Sequence, residues 1–374
     1  MHSRTTSSLI VYIILGFVIL INGCYQEETE KKTIVKNNKA AELLRQQFAG
    51  KIEKTGKQKL SEYGFFKGKI SKMSPADDVI PYDLNTPLFS DYALKARFIK
   101  VSTNEKIDYQ ERDVLQMPVG TFLIKTFYYP EDMRKPKGKR RLIETRVMEH
   151  KSDGWTTLTY IWNEEQTEAY LEIAGKTTQV YYIDLKGEKI AFDYSVPTQI
   201  QCKSCHIKND DISPIGPSVR QLNKDHEYAD GTDNQLVFWN KAGILDKLPA
   251  IEEIPKLAVW DDGASGSLDE RAMAYPDINC GHCHRPEGSA NTSGLTLLHN
   301  ETDRYKIGIL KKPVAAGKGT GGRPYDIVPE KPEKSILLYR MESTDPGEMM
   351  PEVGRKLVHK EGVELIREWI GHLK

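Results

Sequence analysis

Between about residue 59 and residue 198 the chain alternates short apolar runs with turn residues. ARFIKVS, TFLIKTFYY, RLIETRVMEH, WTTLTYIWN, EAYLEI and QVYYIDL are each of strand length and rich in β-branched and aromatic side chains. Asp153-Gly154, between two of these runs, is a hairpin turn signal. The pattern predicts an antiparallel, sandwich-like β domain over 59–198.

After Pro197 the strand pattern stops. NQLVFWNKAGIL at 234–245 predicts a helix, and Ser267-Leu268-Asp269-Glu270 is a capping box opening another. EGVELIREWIGHL closes the chain with apolar residues at 363, 366, 370 and 373 beside Trp369, one helical face. A Cys-x-x-Cys-His unit stands near the start of each half of this region. Two small all-α modules in tandem are expected, 199–262 and 263–374, so the chain reads as multidomain.

The first residues follow another pattern: a polar and basic MHSRTTSS, the apolar run LIVYIILGFVILI, then NGC. That is the build of an export signal, with an apolar run too short for a comfortable membrane span. Ile21-Asn22-Gly23-Cys24 resembles the bacterial lipobox, in which cleavage leaves a lipid-carrying cysteine at the new terminus. Residues 1–23 are thus expected to be a lipoprotein signal peptide, and 24–58 a polar tether with one helix-like stretch from Lys39 to Ile52. The expectation is an exported lipoprotein, membrane-anchored through Cys24 and facing the periplasm or cell surface. Tyr25 in place of Asp after the lipid cysteine points to the outer membrane.

Charge narrows the partners. The 53 basic and 53 acidic side chains cancel, so nothing points to nucleic acid. A basic loop of Arg134, Lys135, Lys137, Lys139, Arg140 and Arg141 links two strands; it reads as a solvated hairpin tip, with steering of an acidic redox partner as the alternative.

The cysteines carry the chemistry. Apart from Cys24 there are four, Cys202 and Cys205 ahead of His206, and Cys280 and Cys283 ahead of His284, which leaves no thiol spare for a structural disulfide. Near the start of a helix, positions i, i+3 and i+4 share a face. Two thiols can then add across the vinyl groups of a haem while the imidazole reaches its iron, the usual meaning of this motif in an exported chain. Zinc shared by both pairs is disfavoured by the long separation, and a thioredoxin-like pair by the lack of a βαβ pattern. Two covalent haems c are expected, with His206 and His284 as proximal iron ligands. For the second haem, DPGEMMPEVGR offers Met350 as the distal ligand, with Met349 as the alternative. For the first, His226, Met273 and an open site remain as options. Ile215-Gly216-Pro217 stands where a Gly-Pro packs near the proximal histidine in class I cytochromes c, and His282 is expected at the surface. Gly317 to Gly322 matches Gly-x-Gly-x-x-Gly but lacks the flanking strand and helix of a dinucleotide site.

The stretches YDLNTPLFSDYALKARFI, GTFLIKTFYY, RLIETRV, YIWNEEQTEAYL, TQIQCKSCH, NCGHCHRPEGSANTSGL, YDIVPEKPEKSILLYRMESTDPGEMMPEVGR and EGVELIREWI resemble a family of bacterial dihaem c-type cytochromes. The likeness runs over nearly everything after about residue 58. It implies class I-like cytochrome c modules after an N-terminal β domain, and haem attachment at Cys202, Cys205, Cys280 and Cys283. It also implies proximal ligation by His206 and His284, a residue other than Met at position 273, and a parallel β-helix partner protein; it brings no defined substrate. The function expected is single-electron transfer between protein redox partners. A haem enzyme of peroxidase or dehydrogenase type, using an open or switchable axial site on the first haem, is the alternative. A third reading makes the β domain a carbohydrate- or partner-binding module, with Trp155 and Trp162 available to line its surface, although their size favours the core.

Overall fold

Five of the six strand-length runs pair side by side with the short segment Ile80–Tyr82 in the computed structural model, which describes residues 56–374 except Ala315. Cys24, the signal peptide and nearly all of the tether lie outside the described residues. The strands in chain order are β1 (Ile80–Tyr82), β2 (Leu94–Lys100), β3 (Ile107–Asp108), β4 (Phe122–Pro130), β5 (Arg140–Lys151), β6 (Gly154–Trp162) and β7 (Ala169–Leu171). All but β3 form one antiparallel sheet in the order β1-β2-β4-β5-β6-β7. The hairpin signal is met one residue early. Ser152 and Asp153 form the loop, and Gly154 opens β6 at φ 114°, a value that suits a residue without Cβ.

Strand alternation gives the sheet two different faces. One face, with Phe98, Ile124, Val147, Leu158 and Tyr160, is covered by the N-terminal Leu60, Phe65, Phe66, Ile70 and Met73. Trp162 is buried in this core. On the other face Ile99, Leu123 and Met148 pack against Val219, Leu222, Leu236 and Trp239 from the region after Pro197. That face also carries Lys95, Arg97, Lys125 and Arg146, where it turns toward a cavity. A separate hairpin, β8 (Lys176–Ile183) with β9 (Lys189–Val196), lays Val180, Tyr182, Tyr194 and Val196 on Phe127, Tyr129 and Ile143. The sandwich expected for 59–198 is therefore corrected to one sheet plus a packed hairpin.

The expectation of two all-α modules is also overturned. The described chain is mostly β, with seven α-helices: α1 (Gln199–His206), α2 (Val219–Leu222), α3 (Gln235–Lys241), α4 (Leu268–Asn279), α5 (Arg304–Ile307), α6 (Ile336–Glu342) and α7 (Lys360–His372). Two hairpins interrupt the first helical segment, β10 (Ile207–Lys208) with β11 (Asp211–Ile212) and β12 (Asp225–Tyr228) with β13 (Gly231–Asn234). Its last strand, β14 (Leu245–Asp246), pairs in parallel with β3. The physical reason is burial: α2 and α3 are too short to enclose a core of their own, so their apolar side chains complete the core of the sheet. Helical periodicity survives best at the end of the chain. Ser267 and Glu270 make the capping box of α4, and Val363, Ile366, Trp369 and Ile370 of α7 are buried with Ala272, Met273, Leu338 and Met341. Residues 56–374 form one compact unit, and among the described residues no helix is long and apolar enough to cross a membrane. Gly317–Thr320 is a single 3-10 turn.

Candidate functional site

The first unit is the C-terminal half of α1. Thr198 caps this helix reciprocally with Gln201, so Cys202, Cys205 and His206 come at helical spacing on the turns that follow. The hairpin β10–β11 then folds back and places the Ser213 carbonyl 2.8 Å from His206 Nδ1. A carbonyl can only accept, so Nδ1 carries the proton and the Nε2 lone pair is free.

The second unit lies beyond the helix. Pro276 stands inside α4, which ends at Asn279, and Cys280 is its C-cap at φ −131°. Only one further turn forms, with the Cys283 and His284 amides donating to the Cys280 carbonyl at 3.0 and 2.9 Å. Gly281 fits because a Cβ there would come within 2.7 Å of the Asp277 and Leu297 carbonyls. The helical placement expected of both units thus holds for the first and is corrected for the second. His284 Nδ1 meets Ser293 Oγ at 3.0 Å, while the same hydroxyl lies 2.7 Å from the Ala290 carbonyl. With the hydroxyl proton committed to Ala290, Nδ1 of His284 is again the donor and Nε2 is free.

A cavity of about 1550 Å³, its open mouth included, joins the two units. Its wall includes Cys202, Cys205 and His206 of the first and Cys280 and His282 of the second. Cys205, His282 and Cys283 place their ligand atoms within 4.8 Å of one another, and none of the four described cysteines is in a disulfide. His282, expected at the surface, is half-buried and bonded through Nδ1 to the Ile278 carbonyl at 3.1 Å.

Burial, with some help from Lys125, pushes His206 down to about 3, and burial pushes His284 down to about 4. Both imidazoles are neutral at pH 7, the form that binds a metal. Burial raises Cys280 to about 12. Cys205 and Cys283 share a hydrogen bond that raises the first and lowers the second, so one proton serves both sulfurs.

Met350 lines the cavity, together with Met341 and His359. Met349 is buried and outside the cavity wall. His226 stands on β12 against the ring of Tyr228, and Met273 lies in the core between α4 and α7; neither reaches the cavity. His359 carries no motif in the sequence. Its ring stacks on Phe89 at 4.1 Å, its Nδ1 meets Tyr275 Oη at 2.9 Å, and burial pushes it down to about 4. The basic loop between β4 and β5 is partly neutralised at its base, by Arg134 on Asp132 and Lys139 on Glu131.

Comparison of the chain with protein-family models, with curated proteins and with solved structures finds no match. The functional reading accordingly stands on the two units and the cavity between them. Cys283 and His284 are not on the cavity wall, so the cavity takes in the whole first unit but only Cys280 and His282 of the second. The donor chemistry of each unit fits a covalently held haem: free thiols at Cys-x-x-Cys spacing followed by a neutral imidazole with Nε2 available.

Proposed function

We propose that this chain is a dihaem c-type cytochrome that passes single electrons between protein redox partners. What supports the reading is that Cys202, Cys205 and His206 of the first unit and Cys280 of the second line one cavity, and that the histidine of each unit has its Nδ1 proton already committed. Cys202 and Cys205 would hold one haem and Cys280 and Cys283 the other. Each thiol adds across a vinyl group, with sulfur bonding one carbon and the proton going to the other, and no oxidant is consumed. When bound, the irons supply reversible one-electron oxidation and reduction.

The chain's own residues set the conditions for that chemistry. The Ser213 carbonyl and Ser293 hydroxyl fix the imidazole tautomers and ring orientations. Met350, which lines the cavity, is the side chain that would serve the second iron. Electrons would pass between the two groups before leaving for a partner, a reading supported by Cys202, Cys205 and Cys280 lining one cavity. Export, a lipid anchor at Cys24, an outer-membrane location and a β-helix partner belong to the same proposal.

Two observations support other readings. With His226 and Met273 away from the cavity, neither candidate from the sequence fills the sixth position of the first haem, which favours an open iron and a peroxidase- or dehydrogenase-type enzyme. The Cys205, His282 and Cys283 cluster favours a zinc or dithiol site. Visible spectra of the purified, dithionite-reduced protein, with and without carbon monoxide, together with metal analysis, separate the three. Two c-type haems per chain unmoved by carbon monoxide are expected for the electron carrier. A shift worth one haem turns the reading to the enzyme, and zinc without haem bands overturns it.

A further inference from the structure

The cavity wall is unusual in its charge. In a chain whose charges cancel overall, the wall holds Lys95, Arg97, Lys125, Arg146 and Arg355 and no Asp or Glu among the described residues. Arg355 is accounted for, since its guanidinium donates to the carbonyls of Met350, Leu357, Arg340 and Ser343. The other four belong to the sheet.

Strand register places three of them in a row. Arg97 on β2 pairs with Lys125 on β4, Lys125 with Arg146 on β5, and Arg146 with Thr159 on β6. Like charges directly opposite on neighbouring strands destabilise a sheet. Two have carboxylate partners: Arg97 bonds Asp83 at 2.7 Å, and Arg146 bonds Glu144 at 2.9 and 2.6 Å. Lys95 donates to the carbonyls of Leu88 and Ala93. Among the described residues Lys125, in the middle of the row, has no direct hydrogen-bond or ion-pair partner; the ring of Phe127 lies 5.2 Å from its ammonium, and the Glu144 carboxylate, already bonded to Arg146, acts on it only through its charge. Burial and the two arginines push Lys125 down to about 7, so a full charge there calls for an anion.

The row also has an address. Thr159, its last member, lies with Oγ1 4.0 Å from Cys202 Sγ. Lys125 is two strands further along, roughly 10 Å at ordinary strand spacing.

We propose that this row is the anion subsite of the first haem, in which Lys125, flanked by Arg97 and Arg146, holds the propionate carboxylates of the group attached at Cys202 and Cys205. The inference rests on the haem reading above. A cation beside the propionates disfavours the extra positive charge of ferric iron, so Lys125 raises the reduction potential of the first haem. Lys125 is a positioning residue that acts through the carboxylates.

The test is spectroelectrochemistry of the full-length holoprotein, with haem content counted first. Lys125→Met is expected to lower the potential of one haem by a tenfold shift in its redox ratio, 59 mV for one electron, and to leave the other unchanged. Lys125→Arg, which keeps the charge, restores it. Lys125→Gln repeats the measurement should the methionine variant misfold. Two haems with unmoved potentials in Lys125→Met overturn this inference and leave the haem reading intact, whereas a haem-free wild type overturns both. Potentials of the wild type are also read against rising acetate. Independence from acetate supports covalently held propionates; a potential that falls with acetate overturns them in favour of a diffusible anion.

Discussion

The first Cys-x-x-Cys-His unit ends a capped helix laid against the sheet, and the second follows a proline-containing helix as a single irregular turn. Around the first stand Lys125, Arg146 and Thr159 from strands and a backbone carbonyl on its histidine. Around the second stand Tyr275, Met350 and the α7 end of the molecule, with a side-chain hydroxyl on its histidine. The same five-position motif therefore sits in two electrostatic settings. Spacing within the motif sets what it can hold, and the packing layer behind it sets how that group is tuned.

The sharpest way to break this comparison removes one unit at a time. Replacing Cys202 and Cys205 together by Ala is expected to halve the haem per chain, replacing Cys280 and Cys283 instead to halve it likewise, and replacing all four to abolish it. Pyridine haemochrome absorbance checks both, and full loss from either pair alone would mean that the two sites do not load independently.

Next comes the link between the two settings. Asp277 on α4 bonds Arg220 on α2 at 3.1 Å and His299 at 3.2 Å, with its carboxylate buried. Burial pushes Asp277 up, but the His299 hydrogen bond and the Arg220 charge more than reverse this and leave it below its ordinary value. Its stabilising contribution is therefore complete above about pH 4, the ordinary Asp range, and is lost as pH falls through the depressed folded value. Asp277→Asn removes the carboxylate from half-buried Arg220, which keeps the Arg112 carbonyl, and is expected to cost about 3 kcal/mol by urea unfolding at pH 7. The gap from wild type should narrow below about pH 4; a gap constant down to pH 2 would remove the charge from the explanation.

The smallest effect sharpens the contrast between the histidines. The carbonyl on His206 survives any side-chain change at Ser213, but the hydroxyl on His284 does not. Ser293→Ala is expected to cost about 1 kcal/mol and to move the potential of the second haem only, whereas Ser213→Ala leaves both potentials in place. Equal shifts from the two variants would show that these bonds do not orient the rings.

Where elements were local, the chain announced them. The strand runs of β2, β4, β5 and β6, the Ser267–Glu270 capping box and the amphipathic α7 all follow from period and capping chemistry within a dozen residues. The motif residues were equally visible, because four cysteines at fixed spacing need no fold to be noticed. The all-α modules failed because short helices such as α2 and α3 do not say what they pack on, and here it is the sheet. That Met350 lines the cavity while Met349, His226 and Met273 do not could be read only from the folded chain. His359 and the Arg97–Lys125–Arg146 row were invisible for the same reason: the row joins residues on three strands, and only register aligns them. The sequence by itself determined the strands, the last helix and the two candidate attachment units, since each depends on neighbours along the chain. Tertiary structure alone decided that the first unit and Cys280 of the second face one cavity with a cationic sheet behind it, because that arrangement is made of contacts between residues far apart in sequence.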